Sequence, residues 1–225
     1  MKTKVFLSLC FAVCATMASA QLESKSAYSI YETEDGWQGV RVSYKPIVLD
    51  VDGSGDLDMD GFSIDYVKSF RVGGDTPLFL ETGAGIHTAS YYDKEEVYYE
   101  GVGVSVEEEL SVASINVPLN LAYQCFLSDK ITFTPYAGIK VKEFVFGEYT
   151  VTAKALGETE KGTVNLFDED DMDDSPCKSF IIGWQIGATF TYNRFNLGVS
   201  YGADFTEFNT DTRFKTTAVT LGVNF

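Results

Sequence analysis

Residues 180–192 read FIIGWQIGATFTY, and every second position is apolar: Phe180, Ile182, Trp184, Ile186, Ala188, Phe190 and Tyr192. The alternate set is Ile181, Gly183, Gln185, Gly187, Thr189 and Thr191, mostly small or polar. A period of two held for thirteen residues belongs to a strand whose faces meet different surroundings. The next run repeats it, with Phe195, Leu197, Val199, Tyr201, Ala203 and Phe205 against Asn196, Gly198, Ser200, Gly202 and Asp204. So does the last, with Thr217, Val219, Leu221, Val223 and Phe225 against Thr216, Ala218, Thr220, Gly222 and Asn224.

Working back along the chain, the same alternation predicts strands over Ile131 to Val141, Ala113 to Cys125, Leu78 to Thr88 and Phe62 to Val72, with a less regular first strand from Trp37 to Leu49. That makes eight. The turns test the phase, because residues flanking a hairpin turn face the same side. Tyr192 and Phe195 flank Asn193-Arg194, Val72 and Leu78 flank 73–77, and Leu127 and Ile131 flank 128–130. All three pairs fall on the apolar face.

Which face points inward decides the fold. The bulky face carries almost no charge, Lys68 and Glu143 excepted. The other holds Gly83, Gly85, Gly138, Gly183, Gly187, Gly198, Gly202 and Gly222, together with Asp65, Arg71, Glu81, His87, Lys140, Lys142 and Asp204. A soluble sandwich or barrel would bury the bulky face and stud the other with Lys and Glu. Glycines facing water would only weaken the strands. Inside a narrow membrane barrel they make room for long ionic side chains, while the bulky face meets lipid. The reading is an all-β, eight-stranded antiparallel up-and-down transmembrane β-barrel. The links after strands two, four and six are short, whereas those near 50–61, 91–109, 157–177 and 207–212 are long, as expected of periplasmic turns and extracellular loops, with a hairpin over Tyr98 to Val106 above the membrane as the alternative for the second.

The remaining chain fits that location. Residues 1–20, MKTKVFLSLCFAVCATMASA, have a basic start, a short apolar stretch and a small-residue cleavage site at Ala18-Ser19-Ala20, which predicts a secretory signal peptide. The apolar stretch is too short for a spanning helix. Residues 21–36 then form an N-terminal periplasmic lead, and 37–225 the barrel domain. Removing 1–20, with Lys2 and Lys4 and no acid, takes the formal charge from −16 to −18. So acidic a chain lacks the footprint that nucleic acid needs. Its 45% hydrophobic content is too high for a disordered acidic tail. One His in the whole chain leaves little for a His-based metal site or catalytic relay. No cofactor is expected. Cys125 and Cys177, the mature cysteines, belong to opposite ends of the strand map, so no bridge between them is expected.

The C-terminal run TTAVTLGVNF (216–225), ending on an aromatic, resembles the strand that outer-membrane barrels present to their assembly machinery. INVPLNLAY (115–123) and TPYAGIKV (134–141) are similar to strands of the porin-family outer-membrane β-barrel domain of the OmpX type, common in Bacteroides-like bacteria. The resemblance covers the chain from about residue 37 and implies the fold and an outer-membrane location, with membrane lipid and the barrel-assembly machinery as partners. It implies no activity. Pro118 and Pro135 depart from ideal strand chemistry, since each forfeits a ladder hydrogen bond.

Candidate chemistry is sparse. The four long links hold 22 of the 33 acidic residues, with only Lys94 and Lys161 among the basic ones. Solvated, mutually repelling loops are the plain reading, and divalent cations at the acidic loops the functional one. In DVDGSGDLDMDG (50–61), Asp50, Asp52, Ser54, Gly55, Asp56 and Leu57 fall at EF-hand-like spacings, but the twelfth position is Gly61 rather than Glu and the flanks read as strands. The run 168–174, DEDDMDD, reads as a solvated charge run. His87 as a base with Ser90 or Ser111 as nucleophile would make a lipid-modifying barrel enzyme, but no third orienting group is evident. His87 in an ionic network with Glu81 is the expectation. The lumen charges, with Arg41 and Lys45 joining them, read as a salt-bridged plug rather than a selectivity pathway, since eight strands close around packed side chains. Tyr123, Tyr192, Phe195 and Phe225 read as a periplasmic aromatic girdle. The leading function is a non-enzymatic barrel displaying acidic extracellular loops, with a small solute channel, then a lipid-modifying enzyme, as alternatives. The partner of the loops is not identified by the sequence.

Overall fold

A computed structural model describes residues 36–225 apart from 52–54, 73, 75, 100, 101, 157, 169–175, 210 and 211. The signal peptide, residues 21–35 of the lead, Asp52, Ser54 and nearly all of the DEDDMDD run lie outside the described residues. Among the described residues there are eleven strands and no helix: β1 (Gln38–Tyr44), β2 (Ile47–Val51), β3 (Gly55–Arg71), β4 (Leu78–Tyr99), β5 (Val102–Tyr123), β6 (Cys125–Ser128), β7 (Ile131–Ala155), β8 (Glu158–Asn165), β9 (Phe180–Tyr192), β10 (Phe195–Asp204) and β11 (Thr212–Asn224).

These segments build eight staves. β2 continues β1 beyond Lys45-Pro46 and pairs the same two neighbours, β11 and β3. β6 continues β5 along β7, while β8 and β9 pair the upper and lower parts of β7. Every pairing is antiparallel. The first strand meets the last, Gly39 opposite Asn224 and Val42 opposite Leu221, and meets β3 on its other edge, so the ring of pairings closes. A closed barrel has no sheet edge to satisfy.

The predicted phase holds around the ring. Val42, Ile64, Ile86, Leu121, Leu197 and Leu221 are exposed on the outside, whereas Ser63, Glu81, Asn116, Lys140, Lys142 and Asp204 are buried within. This inverts the burial of a water-soluble protein. Along β10 and one residue past it the outward residues run from Phe195 to Phe205, ten residue steps and so roughly 33 Å of chain. At a tilt of ~40° that spans roughly 25 Å of barrel axis, the height of a lipid-facing band.

Two departures from regular pairing explain the prolines. The β4–β5 ladder skips the stretch between Thr82–Leu119 and Gly85–Asn116, where Pro118 lacks an N–H. The Thr82 hydroxyl donates to the Pro118 carbonyl instead, at 2.9 Å. Pro135 lies where β7 passes from β5 to β6, between the pairs Ala122–Tyr136 and Cys125–Phe133. Each proline thus sits at a gap in the ladder on one side.

Three sequence expectations need correction. The turn after β6 contains Asp129-Lys130, with the register irregular between Phe126 and Ser128, so Leu127 reaches the outside through that irregularity. The link 91–109 is nearly all strand: β4 and β5 pair without a break from Ser90–Ser111 up to Tyr99–Val102. Likewise β7 runs on to Ala155 and turns back through β8. Cross-strand pairing satisfies the backbone there, so the chain continues as sheet beyond the barrel.

Candidate functional site

The lumen is filled at three levels. Nearest the short turns, Trp37 packs on Phe79 with ring centroids 4.8 Å apart. Beside them Thr191 Oγ1 donates to Asn196 Oδ1, and Asn196 Nδ2 to Asn224 Oδ1, both at 2.7 Å. The mouth here opens into a cavity of about 990 Å³ lined by Gln38, Thr134, Thr189 and Asn196 among others.

The middle level is ionic. Arg41 grips Glu81 with two parallel bonds, Nη1 to Oε1 at 3.0 Å and Nη2 to Oε2 at 2.6 Å. Trp37 Nε1 and Asn120 Nδ2 also donate to that carboxylate, and Gln185 Nε2 donates to Asn120 Oδ1. Lys142 Nζ meets Asp204 Oδ2 at 2.5 Å. Ser63 Oγ donates to Asp65 Oδ2. The lumen glycines make this possible: a Cβ on Gly187 would lie 2.5 Å from the Tyr136 ring, and one on Gly85 would collide with the Asp65 carboxylate. The expected plug is present, but His87 is not part of the Glu81 network. Its Nε2 donates to the Lys45 carbonyl at 3.3 Å, six residues further along β4 from Glu81.

The outer level is an apolar cap that the alternation did not announce. Phe144, Phe208, Phe214, Ile181, Met59 and Ile47 are buried together inside the barrel. The rings of Phe208 and Phe214 pack at a tilt with centroids 4.7 Å apart, and Phe144 lies 5.2 Å and 5.5 Å from them. Phe144 keeps the inward phase of Lys140 and Lys142; the β5–β7 register shifts just beyond it, at Ala113/Ser114, which leaves Val145 as an extra residue and sends Phe146 outward. Lys142 joins the two levels, its Nζ 4.9 Å from the Phe214 ring and 5.8 Å from that of Phe144. Cys177 lies in this cap and Cys125 at the opposite end, in β6.

Beyond the cap, β4, β5, β7 and β8 form a four-stranded extension. Over 91–99, 102–110, 147–155 and 158–165 it carries nine acidic residues against three basic. On one face Lys94, Glu107 and Lys154 are joined, Lys154 Nζ donating to both Glu107 oxygens at 2.8 Å and Lys94 lying at 3.5 Å. Those lysines hold the Glu107 carboxyl below the usual range, chiefly through the Lys154 hydrogen bond. The same strands present Leu110, Tyr91 and Tyr149 on the other face, against the cap.

The remaining candidates separate. Ser90 and Ser111 are directly paired with each other on the outer face, whereas His87 points inward between Ser63 and Ser114, so the suggested base and nucleophiles do not meet. In the 50–61 segment, Asp50 and Asp56 face each other across β2 and β3, and Asp50 pairs with Lys215. No group of three His, Cys, Asp or Glu side chains suited to a metal is found among the described residues.

An inverted barrel with a lipid-facing apolar wall and a packed polar lumen defines a membrane protein that crosses by strands. The chain belongs to the outer membrane protein beta-barrel domain family, whose model matches residues 6–225, and this places it in the outer membrane. No curated protein matches it. Among solved structures it is similar to Ail, the attachment invasion locus protein of Yersinia pestis, at 12% identity over 85% of this chain and 100% of that one, with a TM-score of 0.45. Neisserial surface protein A matches at 12% identity over 84% and 97%, TM-score 0.39. The outer membrane enzyme PagL matches at 19% over 80% and 98%, TM-score 0.38.

Proposed function

We propose that this is a non-enzymatic outer-membrane protein that acts through its extension, with the barrel as a rigid anchor. The observation that carries this reading is the contrast in occupancy. The lumen is spanned by the Arg41–Glu81 and Lys142–Asp204 pairs and capped by Phe144, Phe208 and Phe214, while the extension stands clear with its acidic excess. Dense like charge favours counter-ions, so divalent cations or basic surfaces are the partners the chemistry suits.

The test has two arms. In planar bilayers the purified barrel should pass no resolvable current, and cells expressing it should keep an unchanged lipid A mass spectrum. Steady conductance would make it a channel, and lost or added acyl chains would make it an enzyme. In the second arm, residues 92–109 and 149–164 are each replaced by a short turn. The protein should stay heat-modifiable in the outer membrane, while cells lose the salt-sensitive capture of polylysine that the full-length protein confers.

A further inference from the structure

The middle of the lumen does not balance its charge. Four cations reach it, Arg41, Lys45, Lys140 and Lys142, against the carboxylates of Asp65, Glu81 and Asp204. With His87 neutral, one positive charge is left over. Arg41 is committed to Glu81, and Lys142 to Asp204. Lys45 and Lys140 remain, with Asp65 between them in charge, and neither makes an ion pair within 4.0 Å among the described residues. Both line one cavity of about 70 Å³, along with Asp65, Asn116, Tyr136 and Thr216. Lys140 is only 4% exposed.

An unpaired ammonium held this far from bulk water is costly unless an opposite charge accompanies it. The excess is one, which fixes the valence of the missing partner. The space limits its size, because a cavity of about 70 Å³ has room for only a few waters. That suits a monatomic anion with water better than a sugar sulfate or a phosphate ester. Arg41 lines this cavity and the large one at the short-turn mouth alike, so the two lie on either side of one side chain. We propose that the lumen binds one small monovalent anion of the halide class between Lys45 and Lys140.

The refolded full-length barrel in detergent tests this with bromide as the probe. Urea unfolding is followed in sodium bromide, with sodium gluconate holding the ionic strength constant. For a site of about 10 mM affinity, raising bromide from 1 to 100 mM lowers the unfolding constant about tenfold. Crystals grown in bromide should show one anomalous peak in the lumen, touching both lysine ammonium groups. Lys140→Met makes the lumen neutral, so both the halide dependence and the peak should vanish while the boiled and unboiled bands still separate. If that variant does not fold, Lys45→Met serves, and the two wild-type readouts decide by themselves. Unfolding indifferent to bromide, a halide effect that survives both substitutions, or a lumen without anomalous density would overturn the site. The cavity would then hold water, with one lysine uncharged.

Discussion

The same strands have opposite faces below and above the cap. In the barrel wall β5 sends Ile115, Val117, Leu119 and Leu121 outward, and Ser114, Asn116 and Asn120 inward. Beyond Val112 the polarity largely swaps, with Ser111, Glu109, Glu107 and Ser105 on the outer side and Leu110, Val106 and Val104 on the inner side together with Glu108. β4 follows suit: Ile86 lies outward in the wall, whereas Tyr91 faces inward above it. β4 and β5 keep their inside–outside phase across the boundary, and β7 is interrupted there by the bulge at Val145. What changes is the medium, lipid outside the wall and water outside the extension, so side-chain polarity reports surroundings rather than secondary structure. The level of the swap, near Ser90, Val112 and Phe144, marks where the lipid ends.

The largest expected effect lies in the lumen, where water does not screen. Asp204→Asn leaves Lys142 charged and buried without its partner, a change that costs about 3–5 kcal/mol. Urea unfolding from lipid vesicles measures it. Replacing the pair together, Lys142→Met with Asp204→Leu, should recover most of the loss, because the apolar cap already borders Lys142. If the single variant proves neutral, Asp204 does not hold Lys142 and the lumen is wetter than the packing implies.

Next in size is a direct test of the swap. Val199 points outward midway along β10 between Phe195 and Phe205, so Val199→Arg puts a charge near the lipid midplane at about 2–4 kcal/mol. The same residue at Thr152, on the outward side of the extension opposite Glu107, should change stability by less than about 0.5 kcal/mol. Equal costs at the two sites would place the extension in lipid as well.

The swap also explains how far the sequence was legible. Where one face met lipid for ten residues, as in β9, β10 and β11, alternation gave strand, phase and inside from outside together. Within 91–109 only Val104 and Val106 continue an alternation, in the opposite phase, and the acidic residues around them confined the strand alternative to a hairpin over Tyr98 to Val106. The cap was hidden for three separate reasons. Phe144 and Phe214 continue the lumen phase of β7 and β11 outside the stretches read as strand, Phe208 sits in a link, and Ile181 is a bulky residue at a position counted as lumen. The bulge that follows Phe144 is set by the partner strand, so no pattern within β7 alone announces it. His87 was placed on the right face, but its partner depended on which strand lies alongside. Lys45 brings its carbonyl to His87 across 42 residues of sequence, while Glu81 is drawn to Arg41 nearer the short turns.

The smallest effect belongs to the extension's own ion pairs. Glu107 keeps 21% of its side chain exposed on the solvent side of the extension, and Lys154 and Lys94 hold its folded pKa below the unfolded one. The linkage therefore stabilises the extension above the ordinary carboxylate range, and is lost as the pH falls through the depressed folded value. A carboxyl carbon titration of Glu107 should give a midpoint that rises in Lys154→Ala. It should also rise in wild type as salt is raised to 1 M, where screening shortens to ~3 Å. Neither change should move the unfolding midpoint of the barrel, because an exposed pair is worth little to the fold. Salt should leave the buried Lys142–Asp204 pair untouched, so a barrel midpoint that followed ionic strength together with the Glu107 titration would mean that lumen and extension share one dielectric. The division of labour between them would then fail.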